Sequence, residues 1–307
     1  MSRNRPRATN NLPAGRYQGR ASFPAEPPPK EQRKLTAEET LTLVPSVLHQ
    51  ASISPESALT TFHASQLPQL DPAACPDYVP PPIEVQYGDT FTVTRALLTS
   101  RPDYTGKIAV LNCASDVELA GGWRHRFGTT QEDALCYSST LWPTLEPHKE
   151  KYPWRKVVDW EVNESGCAGL WSPDVVVFRD ELSKGCKILK RREWVSVGVV
   201  SVAALACPAL VPAEGRRGKE GEMRLKMEKD VVTIRERIKM CLRMVATNGK
   251  SVLVLAAFGC GVWKCPSKQV AELFKECLED AEFTRWFEKV LFGIYDHEVE
   301  KAFSKVF

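Results

Sequence analysis

The sequence lacks any long apolar run. No uninterrupted hydrophobic stretch reaches the about 18 residues that a membrane-spanning helix requires, and the longest candidate, residues 199–211, is broken by Ser201 and Pro208. The N-terminus is polar and rich in arginine, so the apolar segment of a secretory signal is missing as well. These absences argue against a membrane-spanning or secreted protein.

Paired cysteines of the kind that build metal sites are also missing. The ten cysteines are scattered, and none forms a Cys-x-x-Cys pair. Cys260 and Cys265 lie close together, but no second Cys/His pair accompanies them, so no metal site is expected. Without a secretory signal, we expect reduced thiols in a nuclear or cytoplasmic protein.

Net charge is small, at +3, and by itself predicts no nucleic-acid partner. It is unevenly placed, because residues 1–34 hold eight basic and two acidic residues, which gives +6. Residues 1–33 have no hydrophobic period and are predicted to be a disordered basic tail. The tail is either a solvated extension or an arm that contacts nucleic acid or directs nuclear import.

Residues 34–307 are predicted to form one domain. A helix is expected over Leu35–Gln50, with Thr36 as its N-cap and Glu39 three positions later. Residues 51–82 are rich in serine and proline and are interpreted as a flexible insertion.

Strands and helices are predicted to alternate after residue 83. The expected strands are Thr90–Thr94, Lys107–Cys113, Asp174–Phe178, Trp194–Ala203, Ser251–Ala257 and Lys289–Ile294. The expected helices are Thr130–Leu141, Glu220–Asn248 and Ser267–Trp286, with Gly249 following the second at the C′ position. This order predicts an α/β fold, with a mixed, largely parallel sheet between helices on both faces.

One candidate site motif follows the strand that ends near Asn112. A glycine pair, Gly121-Gly122, is succeeded by Trp123 and a basic loop, and a helix then begins near Thr130. Ligands of open α/β sheets bind beyond the carboxyl ends of strands, and glycine lets backbone amides approach an anion. The segment is therefore a candidate anion-binding site.

Two acidic residues at the start of that helix have two interpretations. Glu132 and Asp133 each stand three positions after a threonine, which is the spacing of a capping box. A carboxylate pair beside a glycine loop also suits glycoside chemistry, in which an acid protonates the leaving oxygen. The pattern alone leaves both interpretations open.

A second candidate motif spans residues 251–266. An apolar strand leads into the sequence Phe-Gly-Cys-Gly-Val-Trp, and a helix begins near Ser267. Glycines between a buried strand and a helix favour a phosphate-binding loop. Cys260 is not expected to be a nucleophile, because the motif contains no histidine.

These residues together resemble the microbial-type poly(ADP-ribose) glycohydrolase family. The resemblance rests on Asn112-x-Ala114-Ser115, Gly121-Gly122-Trp123, Gln131-Glu132-Asp133, Cys136, Ser139-Thr140-Leu141 and the loop from Ala257 to Trp263. It covers roughly residues 107–307, together with the helix expected near Leu35. Two positions of the first motif depart from the family pattern: Ala120 stands where the first of three glycines is usual, and Asp133 stands where a second glutamate is usual. In the second motif, Ala256 stands in place of a glycine, Trp263 in place of another aromatic residue and Cys265 in place of an asparagine.

The resemblance implies a macrodomain-like three-layer α/β/α sandwich that binds ADP-ribose or poly(ADP-ribose), free or attached to ADP-ribosylated proteins. Asp133 would be the acid that acts at the ribose–ribose bond, with Glu132 as its positioning partner, and no metal or cofactor would be needed. The ligand-binding residues it implies are Asn112, Ala114, Gly121, Gly122, Trp123, Gln131, Phe258, Gly259, Cys260, Gly261, Val262 and Trp263. The aromatic residues among them are interpreted either as ligand contacts or as core.

Three functions are therefore expected from the sequence. The first is hydrolysis of the O-glycosidic ribose–ribose bond of poly(ADP-ribose). The second is recognition of ADP-ribose without cleavage, which the alanine and aspartate substitutions favour. The third is hydrolysis of a small ADP-ribose derivative, because aspartate is one methylene shorter than glutamate.

Overall fold

The structure is a computed structural model, and it describes residues 26–54, 60–158, 166–213 and 222–307. Seven α-helices occur in these residues: α1 Lys30–Ala51, α2 Thr90–Ser100, α3 Gln131–Ser138, α4 Leu141–Leu145, α5 Glu228–Thr247, α6 Ser267–Glu279 and α7 His297–Ser304. The strands are β1 Thr61–His63, β2 Ile83–Tyr87, β3 Ile108–Ala114, β4 Gly169–Val177, β5 Val195–Ala203, β6 Leu210–Pro212, β7 Met223–Leu225, β8 Val252–Leu255 and β9 Lys289–Ile294. Within the described ranges, none of the helices is both long and apolar enough to cross a membrane.

Seven strands form one mixed sheet in the order β1-β4-β5-β3-β8-β9-β2. The pairs from β5 through β2 are parallel, whereas β4 pairs antiparallel with both β1 and β5. The sequence-based prediction of a mixed α/β sheet is confirmed. Because the five parallel strands run the same way, their carboxyl ends lie at one edge of the sheet.

Alternate residues of the central strands face two separate hydrophobic cores. In β3, Leu111 joins a core that also contains residues of α5, α6 and α7. Its neighbour Val110 joins a second core with residues of α1, α2, α3 and α4. Since successive strand residues point to opposite faces, this division makes the sheet the middle of three layers.

Residues 90–94 were predicted as a strand and instead open α2. Their β-branched and aromatic residues favour a strand by intrinsic propensity. Asp89 changes the outcome, because its side chain accepts a hydrogen bond from the Thr92 amide and caps the helix. Phe91 and Thr94 are then buried, so tertiary packing outweighs propensity here.

Helix α1 begins five residues before the predicted start at Leu35. Thr36 is not its N-cap, because its Oγ1 donates to the Gln32 carbonyl inside the helix, at 2.9 Å. The predicted tail therefore overlaps the first turn of α1. Residues 1–25, which carry most of the predicted basic tail, lie outside the described residues, and the proposed nucleic-acid contact stays a prediction.

Residues 60–82, predicted as part of an insertion, add to the folded domain. Strand β1 pairs with β4 at the edge of the sheet. Further on, Leu70 is buried in the core shared with α5. The carbonyl of Leu67 accepts a hydrogen bond from Arg243 of α5, at 3.0 Å.

Three predicted helices are shorter than expected. The region predicted as Thr130–Leu141 divides into α3 and α4, α5 begins at Glu228 because Met223–Leu225 form β7, and α6 ends at Glu279 rather than at Trp286. Gly249 has the expected left-handed backbone, with φ +68°. The basic residues of α5 are not all at the surface, since Arg237 and Arg243 are buried.

Candidate active site

The two sequence motifs meet at the carboxyl edge of the sheet. One motif follows β3 and the other follows β8, and these strands are parallel neighbours. Crevices at this edge are where ligands of open α/β sheets bind. The topology therefore brings together two segments that lie more than 100 positions apart in the chain.

Glu132 is buried beside the end of β3. Its Oε1 accepts a hydrogen bond from Asn112 Nδ2 at 3.1 Å, and its Oε2 accepts one from the Ser115 amide at 2.9 Å. Burial raises the pKa of the Glu132 carboxyl to about 8, against the lowering effect of these two hydrogen bonds. Glu132 is therefore fixed in place and holds a proton near neutral pH.

Asp133 is also buried, but its two oxygens differ. Oδ2 accepts hydrogen bonds from the Thr130 amide at 2.9 Å and from Thr130 Oγ1 at 2.6 Å. The capping box predicted for this pair is thus present. Oδ1 is buried and has no hydrogen-bond partner among the described residues. Burial raises the pKa of Asp133, so its protonated form is favoured relative to an exposed aspartate.

Two glycines let the backbone approach these carboxyl groups. A Cβ at Gly121 would lie 3.1 Å from Glu132 Oε2, and a Cβ at Gly128 would lie 2.3 Å from Asp133 Oδ2. Gly121 also has a left-handed backbone, with φ +61°. Ala120 has the same backbone region, with φ +49°, although its Cβ makes this conformation costly.

A basic loop crosses the glycine pair. Arg126 Nη2 bonds to the carboxylate of Glu118 and to the Gly121 carbonyl, the latter at 2.8 Å. Its side chain covers Gly122, where a Cβ would lie 2.4 Å from Arg126 Nε. The positive charge of Arg126 lowers the pKa of Asp133. Arg126 thus shapes the entrance to the carboxyl pair.

The side chains of three residues predicted to bind ligand in the first motif are already packed or paired within the protein. The side chain of Trp123 is fully buried and packs against Tyr137, with ring centroids 5.7 Å apart. Ala114 is also a core residue. Both polar atoms of the Gln131 side chain have hydrogen-bond partners within the protein. Its Oε1 accepts from the Cys113 amide at 2.9 Å, and its Nε2 donates to the Leu111 carbonyl at 2.8 Å. Their side chains support the site rather than line it.

Asn112 keeps one atom that a ligand can use. Its Nδ2 donates to Glu132 and to Ser201 Oγ, the latter at 3.0 Å. Its Oδ1 is buried and has no hydrogen-bond partner within the described ranges. A buried unpaired acceptor is costly, so this oxygen is suited to receive a hydroxyl of a bound ligand.

The second motif offers backbone amides. In the part of the chain that the structure describes, the amides of Gly261, Val262 and Trp263 donate no hydrogen bond. Val262 is exposed. Successive amides in a turn can bind an anion, and the predicted phosphate-binding loop therefore has donors available for one.

Gly259 fixes the start of this loop. Its φ is +74°, and a Cβ there would lie 2.5 Å from Ala204 Cβ and 2.8 Å from Cys265 Sγ. Only glycine fits both the backbone angle and the close approach. The loop is consequently held against the segment that follows β5.

The aromatic side chains of the second motif have different surroundings. Phe258 is buried in the core and lies edge-on to Phe274, with centroids 6.4 Å apart, so its ring has the core position that the sequence left open as one alternative. Trp263 is half-buried against the same core. Its carbonyl accepts a hydrogen bond from the Cys207 amide at 2.8 Å.

Cys260 keeps its proton. Its Sγ donates to the Phe258 carbonyl, at 3.6 Å. Burial raises the pKa of the thiol well above its usual value, with Cys265 adding to the effect. Because the thiolate is the nucleophilic form, the structure agrees with a packing role for Cys260.

An aromatic group that the sequence pattern does not predict lies at the same edge. The rings of Tyr87 and His297 stack with centroids 3.8 Å apart, and Tyr295 lies 5.8 Å from Tyr87. Nearby Asp89 has a pKa raised to about 6, chiefly by burial. The sequence does not predict this group, because the pattern indicates a strand at Thr90–Thr94 and none that ends at Tyr87.

The fold resembles solved glycohydrolases. Poly(ADP-ribose) glycohydrolase (PARG) from Thermomonospora curvata is 22% identical, with a TM-score of 0.68 over 90% of this chain and 100% of that chain. The same enzyme bound to the inhibitor ADP-HPD is 24% identical, with a TM-score of 0.66 over 90% of this chain and 100% of that chain. PARG from Deinococcus radiodurans in complex with ADP-ribose is 29% identical, with a TM-score of 0.56 over 73% of this chain and 83% of that chain.

No match is found among curated proteins. A family model does match part of this chain. Residues 29–180 match the model of the family described as microbial-type PARG, catalytic domain. This range includes α1, β3, both carboxyl residues and β4. The sequence resemblance to microbial-type PARG catalytic domains is confirmed by this match.

Proposed function

We propose that this chain is a glycosidase that binds ADP-ribose units and hydrolyses the ribose–ribose bond of poly(ADP-ribose). One observation carries the proposal. Glu132 and Asp133 are buried neighbours beside Gly121, and Asp133 Oδ1 has no hydrogen-bond partner among the described residues. A buried carboxyl group with a raised pKa and an oxygen free of partners in the described ranges suits the role of a general acid.

Binding of ADP-ribose is supported by the second loop. Its free amides and the loop shape set by Gly259 suit a diphosphate. The unpaired Oδ1 of Asn112 suits a ribose hydroxyl at the end of β3. The D. radiodurans relative is described in complex with ADP-ribose, which agrees with a nucleotide ligand here.

The aromatic group suits the base of such a ligand. Tyr87, Tyr295 and His297 lie at the ends of β2 and β9, at the same edge as the other two segments. Planar rings stack on aromatic side chains, and the carboxyl group of Asp89 can accept a hydrogen bond from an exocyclic amine. Together, these features support a site that extends from the base to the scissile ribose.

The proposed reaction uses Asp133 as acid and then as base. Asp133 gives its proton to the leaving oxygen while the bond from that oxygen to the anomeric carbon breaks. The electron pair stays with the oxygen, and positive charge develops on the ribose. Water then bonds to the anomeric carbon and returns a proton to the Asp133 carboxylate. Glu132, held by Asn112 and Ser115, positions the ribose beside it.

The deciding experiment compares wild type with Asp133→Asn. ADP-ribose affinity is measured by calorimetry, and release of ADP-ribose from poly(ADP-ribose) is measured in parallel. Asparagine can still accept a hydrogen bond from the Thr130 amide but cannot give the proton. We expect turnover to fall by about a hundredfold to ten-thousandfold, with affinity changed by less than about threefold.

Equal turnover in the two proteins would remove Asp133 from the role of acid. Absence of ADP-ribose binding by wild type would refute the whole proposal. Thr129→Ala is the matched control, because Thr129 precedes the helix cap but makes none of the hydrogen bonds to Asp133.

A second candidate function is recognition of ADP-ribose without cleavage. The observation that favours it is the capping box, which occupies Asp133 Oδ2 with two hydrogen bonds from Thr130. Asp133→Glu separates the candidates, because the extra methylene moves the carboxyl group about 1 Å farther into the site. If wild type binds without turnover and the glutamate variant cleaves, the chain is a reader whose acid is too short.

A further inference from the structure

Arg33 reaches from the first turn of α1 to the loop that faces the carboxyl pair. Its half-buried side chain donates from Nε to the Phe127 carbonyl at 2.7 Å, across 94 positions of sequence. The same guanidinium donates from Nη1 to the Pro28 carbonyl at 2.5 Å. Sequence analysis had placed Arg33 in the basic tail.

The carbonyl that Arg33 holds belongs to a strained part of the loop. Phe127 has φ +53°, a left-handed backbone that a bulky side chain rarely adopts. The next residue is Gly128, whose Cα lies so close to Asp133 that a Cβ would be 2.3 Å from Oδ2. A strained conformation persists only where its surroundings enforce it, and the Arg33 hydrogen bond supplies such a restraint.

We propose that Arg33 is a positioning residue, which holds the loop of residues 121–130 against the carboxyl group of Asp133. The inference rests on the proposed function, since it concerns the acid of that reaction. It assigns the first turn of α1 a part in catalysis, although Arg33 touches no reacting atom.

Arg33 also acts on Asp133 through its charge. Burial raises the pKa of Asp133, while Thr130, Arg126 and Arg33 lower it, in that order of effect. The other titratable groups that interact with Asp133 are Glu132, Cys136 and Tyr137, and the pKa of each is raised. Removing the charge of Arg33 therefore raises the pKa of Asp133 further.

Helix α1 has attachments that do not involve Arg33. Thr40 Oγ1 donates to the Tyr137 carbonyl at 3.0 Å, and Glu39 forms an ion pair with buried Arg179 at 2.8 Å. Ala37 and Val44 are buried against the domain. Replacing Arg33 should therefore leave the helix in place, and Thr40→Val is a matched control that weakens α1 without touching the loop or its charge.

The test compares Arg33→Gln, Arg33→Lys and Thr40→Val in the full chain. For Arg33→Gln we expect kcat on poly(ADP-ribose) to fall about 10- to 100-fold, with KM and ADP-ribose affinity within about twofold. The limb of the kcat profile that falls with rising pH should move to higher pH, because Asp133 keeps its proton longer. Arg33→Lys should return this limb towards its wild-type position, while kcat recovers only in part.

Hydrogen exchange of the amides in residues 121–130 gives a measurement that needs no turnover. Arg33→Gln should raise their exchange rates about tenfold, whereas Thr40→Val should lower the unfolding midpoint and leave both these rates and the pH limb unchanged. The inference would be overturned if Arg33→Gln kept the kcat, the pH profile and the loop exchange rates of wild type. If wild type shows no turnover, the proposed function is refuted. The exchange rates of the loop amides would then still show whether Arg33 holds the loop in place.

Discussion

The loop after β3 and the loop after β8 share one edge of the sheet but present different atoms. The first places two buried carboxyl groups beside a glycine pair, and side-chain hydrogen bonds from Asn112 and Thr130 fix them. The second presents backbone amides that donate no hydrogen bond within the described ranges, while the side chain of Phe258 packs into the core. One loop thus depends on which side chains it carries and the other on its backbone shape.

This difference separates chemistry from binding. A change of side chain at Asp133 should affect the bond-breaking step and leave the amides after β8 untouched. A change of backbone shape after β8 should affect affinity and leave the carboxyl pair untouched. Each of the following variants changes one side of this comparison.

Among the variants compared below, the largest effect is expected for Gly259→Ala. The added Cβ would lie 2.5 Å from Ala204 Cβ on a backbone with φ +74°. Left-handed strain of about 1–2 kcal/mol and overpacking of about 1–3 kcal/mol should both lower the free energy of unfolding. ADP-ribose affinity, measured by calorimetry, should fall by at least about tenfold because the amides after Gly259 shift.

Gly249→Ala is the matched control for this variant. Gly249 has φ +68°, but no atom lies within 4 Å of a Cβ built there. The control should lose about 1–2 kcal/mol from strain alone and keep its ADP-ribose affinity. Equal affinities of Gly259→Ala and wild type would show that the second loop does not bind the ligand.

Glu132→Gln should change how stability depends on pH. The folded pKa of Glu132 is about 8, above its ordinary value of 4.5. Folded protein therefore binds a proton that the unfolded chain releases, so this stabilisation is complete below about pH 4.5 and is lost as pH rises through about 8. The unfolding free energy of wild type should fall with pH by up to about 1.4 kcal/mol per unit more than that of the variant.

Urea denaturation at pH 5, 6.5 and 8 measures this difference. Glutamine keeps the acceptor for Ser115 and cannot ionise. The unfolding free energy of Glu132→Gln should therefore rise relative to that of wild type at each higher pH. Parallel curves for the two proteins would mean that Glu132 is solvated and that its environment differs from the one described.

The smallest effect is expected for Ala120→Gly, which restores the third glycine of the family pattern. Ala120 has a left-handed backbone, with φ +49°, and glycine removes the strain of that conformation. This gain should offset the loss of about 0.4–1 kcal/mol that arises because glycine adds backbone entropy to the unfolded chain. We expect an unfolding free energy within about 1 kcal/mol of wild type by urea denaturation. Ala114→Gly, in strand β3, is the control and should lose more than about 1 kcal/mol, since no strain is relieved there.

The first motif could be predicted because short-range patterns carry its geometry. Thr130 and Asp133 stand at capping-box spacing, and the same spacing places the two carboxyl groups on the first turn of α3. Pattern alone could not show that Asp133 serves as a cap through one oxygen and keeps the other unpaired. That division depends on the loop carrying Gly128, which packs against the carboxyl group.

The missed residues share one physical reason. Arg33 and Tyr87 lie far from both motifs in sequence, and only the packing of α1 on α3 and of β2 beside β9 brings them to the site. Trp123 and Phe258 were placed in the site by their positions in the motifs, yet their rings face the core. Side-chain direction at a strand or loop end depends on the neighbouring elements rather than on local sequence.

The sequence by itself determined the α/β order of elements, the two glycine segments and the carboxyl pair, because hydrophobic period, turn residues and cap spacing are local properties. Tertiary structure decided which of these atoms remain available. It buried Glu132 so that its pKa rises to about 8, satisfied Gln131 within the protein, and left Asn112 Oδ1 without a partner in the described ranges. Desolvation and pairing depend on which elements pack together, and no short stretch of sequence specifies them.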